Sequence, residues 1–205
     1  MDAMKRQDPI DASKLRDRLR RVLPSLTKQL TGITSERRAG VLLIFYPKNG
    51  EAHILFTKRS QEVAEHKGEI SFPGGAYDTK DKTILQTALR ESREELGLNV
   101  SEFEILGELD DVYVPPTRFL ITPFVAFMNQ PPKPKPSLLE ISEVLEIPAS
   151  ELLNPSIFRE EVREAAGMKR QLQFYSYGQY VIWGATARIL RQFLDLVSTM
   201  GSKSH

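Results

Sequence analysis

The stretch from Glu69 to Leu98 constrains this chain most: a short β-rich run, EISF, then Pro73-Gly74-Gly75, then a helix-patterned segment from about Thr83 to Leu96 that Gly97 can cap. The order is strand, glycine loop, helix. The helix ends in Glu91, Glu94 and Glu95, where the helix dipole disfavours anions and like charges repel. On a wheel turning about 100° per residue from Ile84, the apolar face holds Ile84, Ala88, Ser92, Leu85, Leu96 and Leu89 over about 0° to 140°. Glu95 falls near +20°, inside that stripe, and Glu91 near −20°, at its edge. No Lys or Arg of the helix shares the face, so two carboxylates pointing toward the core need outside compensation. A divalent cation supplies it: carboxylate oxygens are hard ligands suited to Mg²⁺ or Mn²⁺, and an i, i+4 pair can share one ion. The competing reading is a surface helix rich in Glu and Arg. Arg90 and Glu94, also i and i+4, form a pair in which Arg90 holds Glu94 in place.

Around this segment the pattern is mixed. Asp11 to Leu30 carries Leu15, Leu19, Val22, Leu23 and Leu26 at helical spacing, interrupted near Pro24. AGVLLIFYP (Ala39 to Pro47) and AHILFTKR (Ala52 to Arg59) flank Asn49-Gly50 and read as an antiparallel hairpin. FEILGELDDVYV and ITPFVAFM are further strands, PPKPKPS (Pro131 to Ser137) is an exposed stiff loop and spacer, and EVLEIPASELL is a strand leading into a short helix. LQFYSY and QYVIW flank Gly178, before an amphipathic helix from about Ala185 to Val197. The expected class is α/β: an α/β/α sandwich around a mixed β-sheet, with an additional N-terminal helix.

Length and composition narrow the function. At 205 residues, 40% hydrophobic and 27% charged, the chain suits one globular domain, and a net charge of +1 provides no general field for nucleic acid. With no cysteine, disulfide and thiolate chemistry are excluded. No run approaches the roughly 18 apolar residues of a membrane helix, the N-terminus has no apolar signal core, and GSKSH is not a peroxisomal ending. A cytoplasmic protein is expected, with no nucleic acid or membrane partner.

The run Arg90-Glu91-Ser92-Arg93-Glu94-Glu95-Leu96-Gly97-Leu98, behind its glycine loop, resembles the signature of the Nudix hydrolases. Ser92 stands where that family usually has an aliphatic residue, and the spacing from glycine to arginine is one residue longer than usual. Counting forward from Gly75 puts the family's first glutamate on Asp81, while counting back from Arg90 puts it on Lys82, so neither takes a role. The extra residue and the segment LFTKRSQEVAEHKGEISFPGG resemble the coenzyme A diphosphatase branch, matching at Thr57, Arg59, Ser60, Gly68, Phe72, Pro73, Gly74 and Gly75, with Phe56 for a leucine and Ala64 where arginine is frequent. LGELDDV, ITPFV and IWGATARIL extend the resemblance over most of the chain from about Gly40.

The resemblance implies a Nudix-like fold over 37–200, preceded by a helical extension over 1–36 and followed by a polar tail over 201–205. It implies Mg²⁺- or Mn²⁺-dependent hydrolysis of a nucleoside diphosphate derivative. The primary expectation is coenzyme A or its thioesters, giving 3′,5′-ADP and a 4′-phosphopantetheine product. The alternatives are a nucleotide sugar, a dinucleotide or NADH, or a binding module without turnover. Glu91 and Glu95 are the implied first metal ligands, with the Gly75 carbonyl completing the shell and Glu94 as a third ligand or the base, positioned by Arg90. Glu143 is the alternative base, in competition with Glu140 and Glu146. Arg59, Ser60 and Gly74 are the substrate-side candidates. His66, Asp110 and Asp111 stay outside the set, Phe174, Tyr175 and Tyr177 are expected in sheet packing, and Trp183 in the core or at a contact of an optional homodimer.

Overall fold

The computed structural model describes residues 7–28, 35, 37–62, 66–165 and 168–201. Helix α1 (Ala12–Val22) starts at Asp11, whose carboxylate accepts from the Ser13 and Lys14 N–H groups, and gives way at Pro24 to a 3₁₀ turn, Leu23–Ser25. The expected continuation to Leu30 lies partly outside the described residues. Strands β1 (Arg37–Lys48) and β2 (Glu51–Arg59) form the expected hairpin, with Asn49 at φ 51° and Gly50 at φ 84°. The remaining elements are β3 (Ile70–Ser71), β4 (Gly74–Ala76), α2 (Ile84–Leu96), β5 (Glu104–Glu108), β6 (Val112–Val114), β7 (Phe119–Phe127), β8 (Ile141–Pro148), α3 (Ala149–Leu152), β9 (Phe158–Ala165), β10 (Met168–Tyr177), β11 (Tyr180–Trp183) and α4 (Gly184–Gly201). The segment FEILGELDDVYV is two strands, broken at Leu109–Asp111.

The main sheet is mixed. β1 runs antiparallel to β2 and parallel to β7, while β5 and β6 both pair antiparallel with β7, and β8 with β2. The β1–β2 pairing covers only Ile44–Lys48 against Glu51–Leu55; beyond it β4 takes Ala39–Val41 of β1 and β3 takes Thr57–Lys58 of β2. The glycine loop is therefore a wedge in a splayed hairpin.

Both sheet faces are covered, which is why β1 reads as an unbroken apolar run. Leu42, Ile44 and Tyr46 join Leu55, Ala88, Leu96 and Phe124 beneath α2, whereas Leu43 and Phe45 join Leu15, Leu19, Phe127, Leu190 and Phe193 beneath α1 and α4. The Phe45 ring lies 5.1 Å from Phe127 and 5.9 Å from Phe193. Together with α2 these layers make the α/β/α sandwich. A second sheet, in the order β11-β10-β9, turns Tyr175 and Ile182 inward. Phe174 is sheet packing too, under Arg159 at 4.6 Å and Arg163 at 5.3 Å. Trp183 is not a core residue: it is 42% exposed. Among the described residues no helix is long and apolar enough to cross a membrane.

Gly40 sets how closely α2 approaches the sheet. A Cβ there would collide with the Ile84 carbonyl oxygen and lie 2.9 Å from Ile84 Cγ2, contacts that backbone cannot easily relieve. Gly40→Ala is expected to cost about 1–3 kcal/mol and to lower turnover by displacing α2. Thermal unfolding and initial rates measure both, and a variant with unchanged melting temperature would remove this constraint.

Candidate active site

Thr83 caps α2 by accepting from the Gln86 N–H at 3.2 Å, and Gly97, at φ 63°, ends it. The residues turned inward are Thr87, Ala88, Ser92, Glu95 and Leu96, while Leu85 and Leu89 are only half-buried. The helix is thus rotated from the expected apolar stripe toward its carboxylate edge. Small residues allow this: Gly40 admits the backbone at Ile84, and the Ser92 hydroxyl donates to the Ala88 carbonyl at 2.8 Å.

Glu95 is 2% exposed. Its carboxylate accepts from the Gly74 N–H at 3.1 Å and stands 3.8 Å from an Arg59 guanidinium nitrogen. Burial pushes its pKa up to about 8 against these two favourable partners, and the neighbouring Glu91 and Glu140 charges push the same way. Burial also raises Glu91, whose carboxylate lies against Gly75: an added Cβ would sit 2.6 Å from Glu91 Cδ. Gly75 is the residue that leaves room for this side chain. The Arg59 Nε is buried without a hydrogen-bond partner, so the guanidinium next to Glu95 has unclaimed donor capacity.

Arg90 is the hub that holds the acids. It donates to both Asp81 oxygens, at 3.1 and 3.0 Å, to Glu91 at 2.8 Å and to Glu94 at 2.9 Å. Asp81 is buried, also accepts from the Thr87 hydroxyl at 2.9 Å, and is held down to a pKa of about 2 chiefly by the Arg90 hydrogen bonds. Sequence spacing left Asp81 and Lys82 undecided; the loop path selects Asp81 as the partner of Arg90. Glu94 is half exposed.

The proline-rich loop is a clamp as well as a spacer. Its Lys135 and Ser137 N–H groups donate to the Leu96 and Glu95 carbonyls at 2.7 and 2.9 Å, satisfying two of the last acceptors of α2. Ser60 holds the following turn: its hydroxyl donates to the Leu139 carbonyl at 2.6 Å and its N–H to the Glu140 carbonyl at 2.7 Å. Ser60 is 4% exposed and its hydroxyl is committed to the Leu139 carbonyl, which makes it a residue that positions this loop. Glu143 lies within β8 and not in a loop; the Tyr180 hydroxyl donates to it, and Lys58 Nζ is 3.7 Å away. Glu146 pairs with Lys48. Glu140 is the acid of this stretch whose charge reaches both Glu91 and Glu95.

The other candidates lie elsewhere. Asp111 accepts from Thr122 at 2.8 Å and pairs with Lys28 at 2.8 Å, tying down the segment after α1. The Asp110 backbone pairs with the Gln192 amide. His66 is exposed, 2.9 Å from Glu69. Ala64 and the tail beyond Gly201 lie outside the described residues.

The donor set suits a hard divalent cation: carboxylate oxygens of Glu91 and Glu95, beside the Gly75 backbone, with the charged form of Glu95 only partly compensated by Gly74 and Arg59. Among the described residues no three acidic or histidine side chains are already gathered into a metal cage. Arg90 draws Glu91 and Glu94 to itself, so an ion held by Glu91 would have to compete with the Arg90–Glu91 contact.

The Asp81–Arg90 pair generates a test. Because the folded-state pKa of Asp81 lies below its ordinary value, the stability it contributes is present above about pH 4 and is lost as pH falls through about 2. Asp81→Asn is expected to lower the melting temperature by about 5 °C or more at pH 7, with the gap from wild type closing toward about pH 2. A gap that stays constant across pH would contradict the ion pair.

Comparison with known proteins identifies the family. The NUDIX domain model matches residues 36–166. A protein of Photorhabdus laumondii described as an uncharacterized Nudix hydrolase, NudL, is 34% identical over 190 residues, covering 92% of this chain and 98% of its own. Its counterpart in Pectobacterium atrosepticum is 31% identical over 195 residues, covering 93% and 98%. In fold, the chain is similar to the C. elegans Ap4A hydrolase binary complex (TM-score 0.52, 16% identity, 80% of this chain and 98% of that one). It is also similar to a MutT/nudix family protein of Enterococcus faecalis (TM-score 0.51, 15% identity, 83% and 66%). With a domain match over more than half its length and relatives aligned nearly end to end, the chain belongs to the Nudix hydrolases, enzymes that cleave pyrophosphate bonds.

Proposed function

We propose that this Nudix hydrolase cleaves the diphosphate of coenzyme A or its thioesters, releasing 3′,5′-ADP and a 4′-phosphopantetheine product. The observation that carries the reading is the meeting of Arg59 with Glu95 at 3.8 Å. It joins the Thr57–Gly75 run, which resembles the coenzyme A branch, to the carboxylate helix that resembles the whole family. Arg59 presents a partly exposed guanidinium with a fork of donors, the chemistry expected of a phosphate-binding arginine.

Glu91, Glu95 and the Gly75 carbonyl are the groups that would hold Mg²⁺ or Mn²⁺, and Gly74 fixes Glu95 through its N–H. When bound, the cation supplies positive charge to the diphosphate oxygens as negative charge builds on them. Arg59 orients the substrate by the same oxygens. Water attacks one phosphorus as the bridging P–O bond breaks, and Glu94, kept in place by Arg90 at 2.9 Å, accepts the water's proton. Glu140 is the next candidate for that role, since Glu143 is engaged by Tyr180 and Lys58.

Glu95→Gln keeps the side chain's shape and its capacity to accept from Gly74 while removing the charge. Turnover is expected to fall about 100-fold or more, with no loss of melting temperature in the absence of metal. Added Mg²⁺ should raise the melting temperature of the wild type and not of the variant. Full activity in Glu95→Gln would reject the metal role. For substrate class, coenzyme A, a nucleotide sugar, a dinucleotide and NADH are compared with Mg²⁺ or Mn²⁺, and products are separated by chromatography. Coenzyme A is expected to have the highest kcat/KM; a clearly better nucleotide sugar, dinucleotide or NADH would replace it.

A further inference from the structure

Strand β4 leads away from the carboxylates with its register on β1 intact. Gly75 stands opposite Gly40 and Ala76 opposite Ala39. The Tyr77 N–H donates to the Arg38 carbonyl at 2.9 Å, in step with the Leu42 N–H bond to the Pro73 carbonyl, also 2.9 Å, so the pairing runs on to Tyr77. Opposed residues of an antiparallel pair share a face, and side chains return to that face at every second residue. Gly40 and Gly75 face α2, since added Cβ atoms there would meet Ile84 and Glu91. Tyr77 and Arg38 therefore stand side by side on the same face, about 7 Å of strand beyond the glycine against which the Glu91 carboxylate lies.

Both side chains are open. Tyr77 is 41% exposed, and its ring packs against neither core cluster. Arg38 is exposed, and among the described residues its guanidinium has no ion pair, hydrogen bond or ring contact. Its neighbours are engaged. Arg37, on the other face, donates to the Thr117 carbonyl at 3.0 Å and lies 4.3 Å over Phe119. Asp81, Glu91 and Glu94 are bonded to Arg90 and do not neutralise Arg38. An aromatic face and a free guanidinium thus sit together on the sheet that carries the carboxylates: the first can stack on a flat ring and the second can take a phosphate.

Distance and charge indicate the occupant. In a nucleoside diphosphate derivative a single ribose separates the base from the nearest phosphorus, a span that one strand repeat matches, so a diphosphate over Glu91 brings its base to Tyr77. In coenzyme A that ribose carries a 3′-phosphate, an anion suited to the free guanidinium beside the ring. The pantetheine arm is uncharged and gains nothing from it. We infer that Tyr77 and Arg38 are specificity-determining residues that hold the nucleotide end of the substrate: the Tyr77 ring stacks on the adenine and the Arg38 guanidinium pairs with the ribose 3′-phosphate. The inference rests on the coenzyme A reading.

The test compares kcat/KM for coenzyme A and 3′-dephospho-coenzyme A, which differ only in the ribose 3′-phosphate, with Mg²⁺ or Mn²⁺, in the wild type, Arg38→Gln, Arg38→Lys, Tyr77→Ser and Tyr77→Phe. The wild type should favour coenzyme A about tenfold or more. Arg38→Gln should lose that preference by falling far more on coenzyme A than on the dephospho compound, and Arg38→Lys should keep part of it. Tyr77→Ser should lower both substrates about tenfold, chiefly through KM, and Tyr77→Phe should recover most of that loss. Side-chain exposure predicts melting temperatures within about 2 °C of wild type. A wild type indifferent to the 3′-phosphate, an Arg38→Gln loss equal on the two substrates, or a Tyr77→Ser variant as active as the wild type would overturn the inference while leaving the coenzyme A reading intact. Turnover of neither compound, with turnover of another nucleoside diphosphate derivative, would overturn that reading and the inference with it.

Discussion

The structure depends on burying the Glu95 carboxylate at the seam between helix α2 and the glycine loop. A buried acid with one backbone N–H and a guanidinium 3.8 Å away is costly, and its pKa of about 8 expresses that cost. The neighbouring architecture serves to keep it there. Gly40 lets α2 sit close to the sheet, Gly75 leaves room for the Glu91 carboxylate, and β3 and β4 split the first hairpin so that the Gly74 N–H meets Glu95. Burial and the neighbouring acids thus disfavour the charged form of Glu95, and a cation bound there would favour it for the same electrostatic reason.

Arg90 and the proline-rich loop hold this arrangement from two sides. One guanidinium ties Asp81, Glu91 and Glu94 together, fixing the loop before α2 to its outer side. At the other end Lys135 and Ser137 close the last carbonyls of α2, and the turn that follows carries Glu140. The two sides differ in kind. Arg90 would compete with an ion for Glu91, whereas the loop's backbone bonds are indifferent to charge. On the proposed reading, a cation would take Glu91 from Arg90 while Asp81 and Glu94 stay bonded to it.

Much of this was legible in the residues and some was not. Asn49-Gly50 announced the first hairpin, and the i, i+4 relation of Glu91 and Glu95 placed them at the core side of a helix, because turn chemistry and helical period act locally. The rotation of α2 away from Leu85 and Leu89 was hidden, since it depends on the absence of a Cβ at Gly40 on a strand more than forty residues earlier. Asp81 was undecidable by counting because spacing does not reveal how a loop folds back onto Arg90. Ser60 and Glu143 read as site residues by position along the chain; their contacts to Leu139 and Tyr180 depend on a bulge near Arg59 and on the pairing of β2 with β8, which spacing does not reveal. The loop PPKPKPS looked like a spacer because its use lies in backbone N–H groups, which carry no residue signature.

The central claim is that Glu91 and Glu95, beside Gly75, form the cation site. Anomalous diffraction from crystals of the protein with Mn²⁺ at activity-supporting concentration tests it directly. The account predicts a peak within about 2.0–2.4 Å of carboxylate oxygens of both Glu91 and Glu95, with Arg90 no longer bonded to Glu91. A peak at Glu143, or no peak near Glu95 while the crystals turn over substrate, would contradict it.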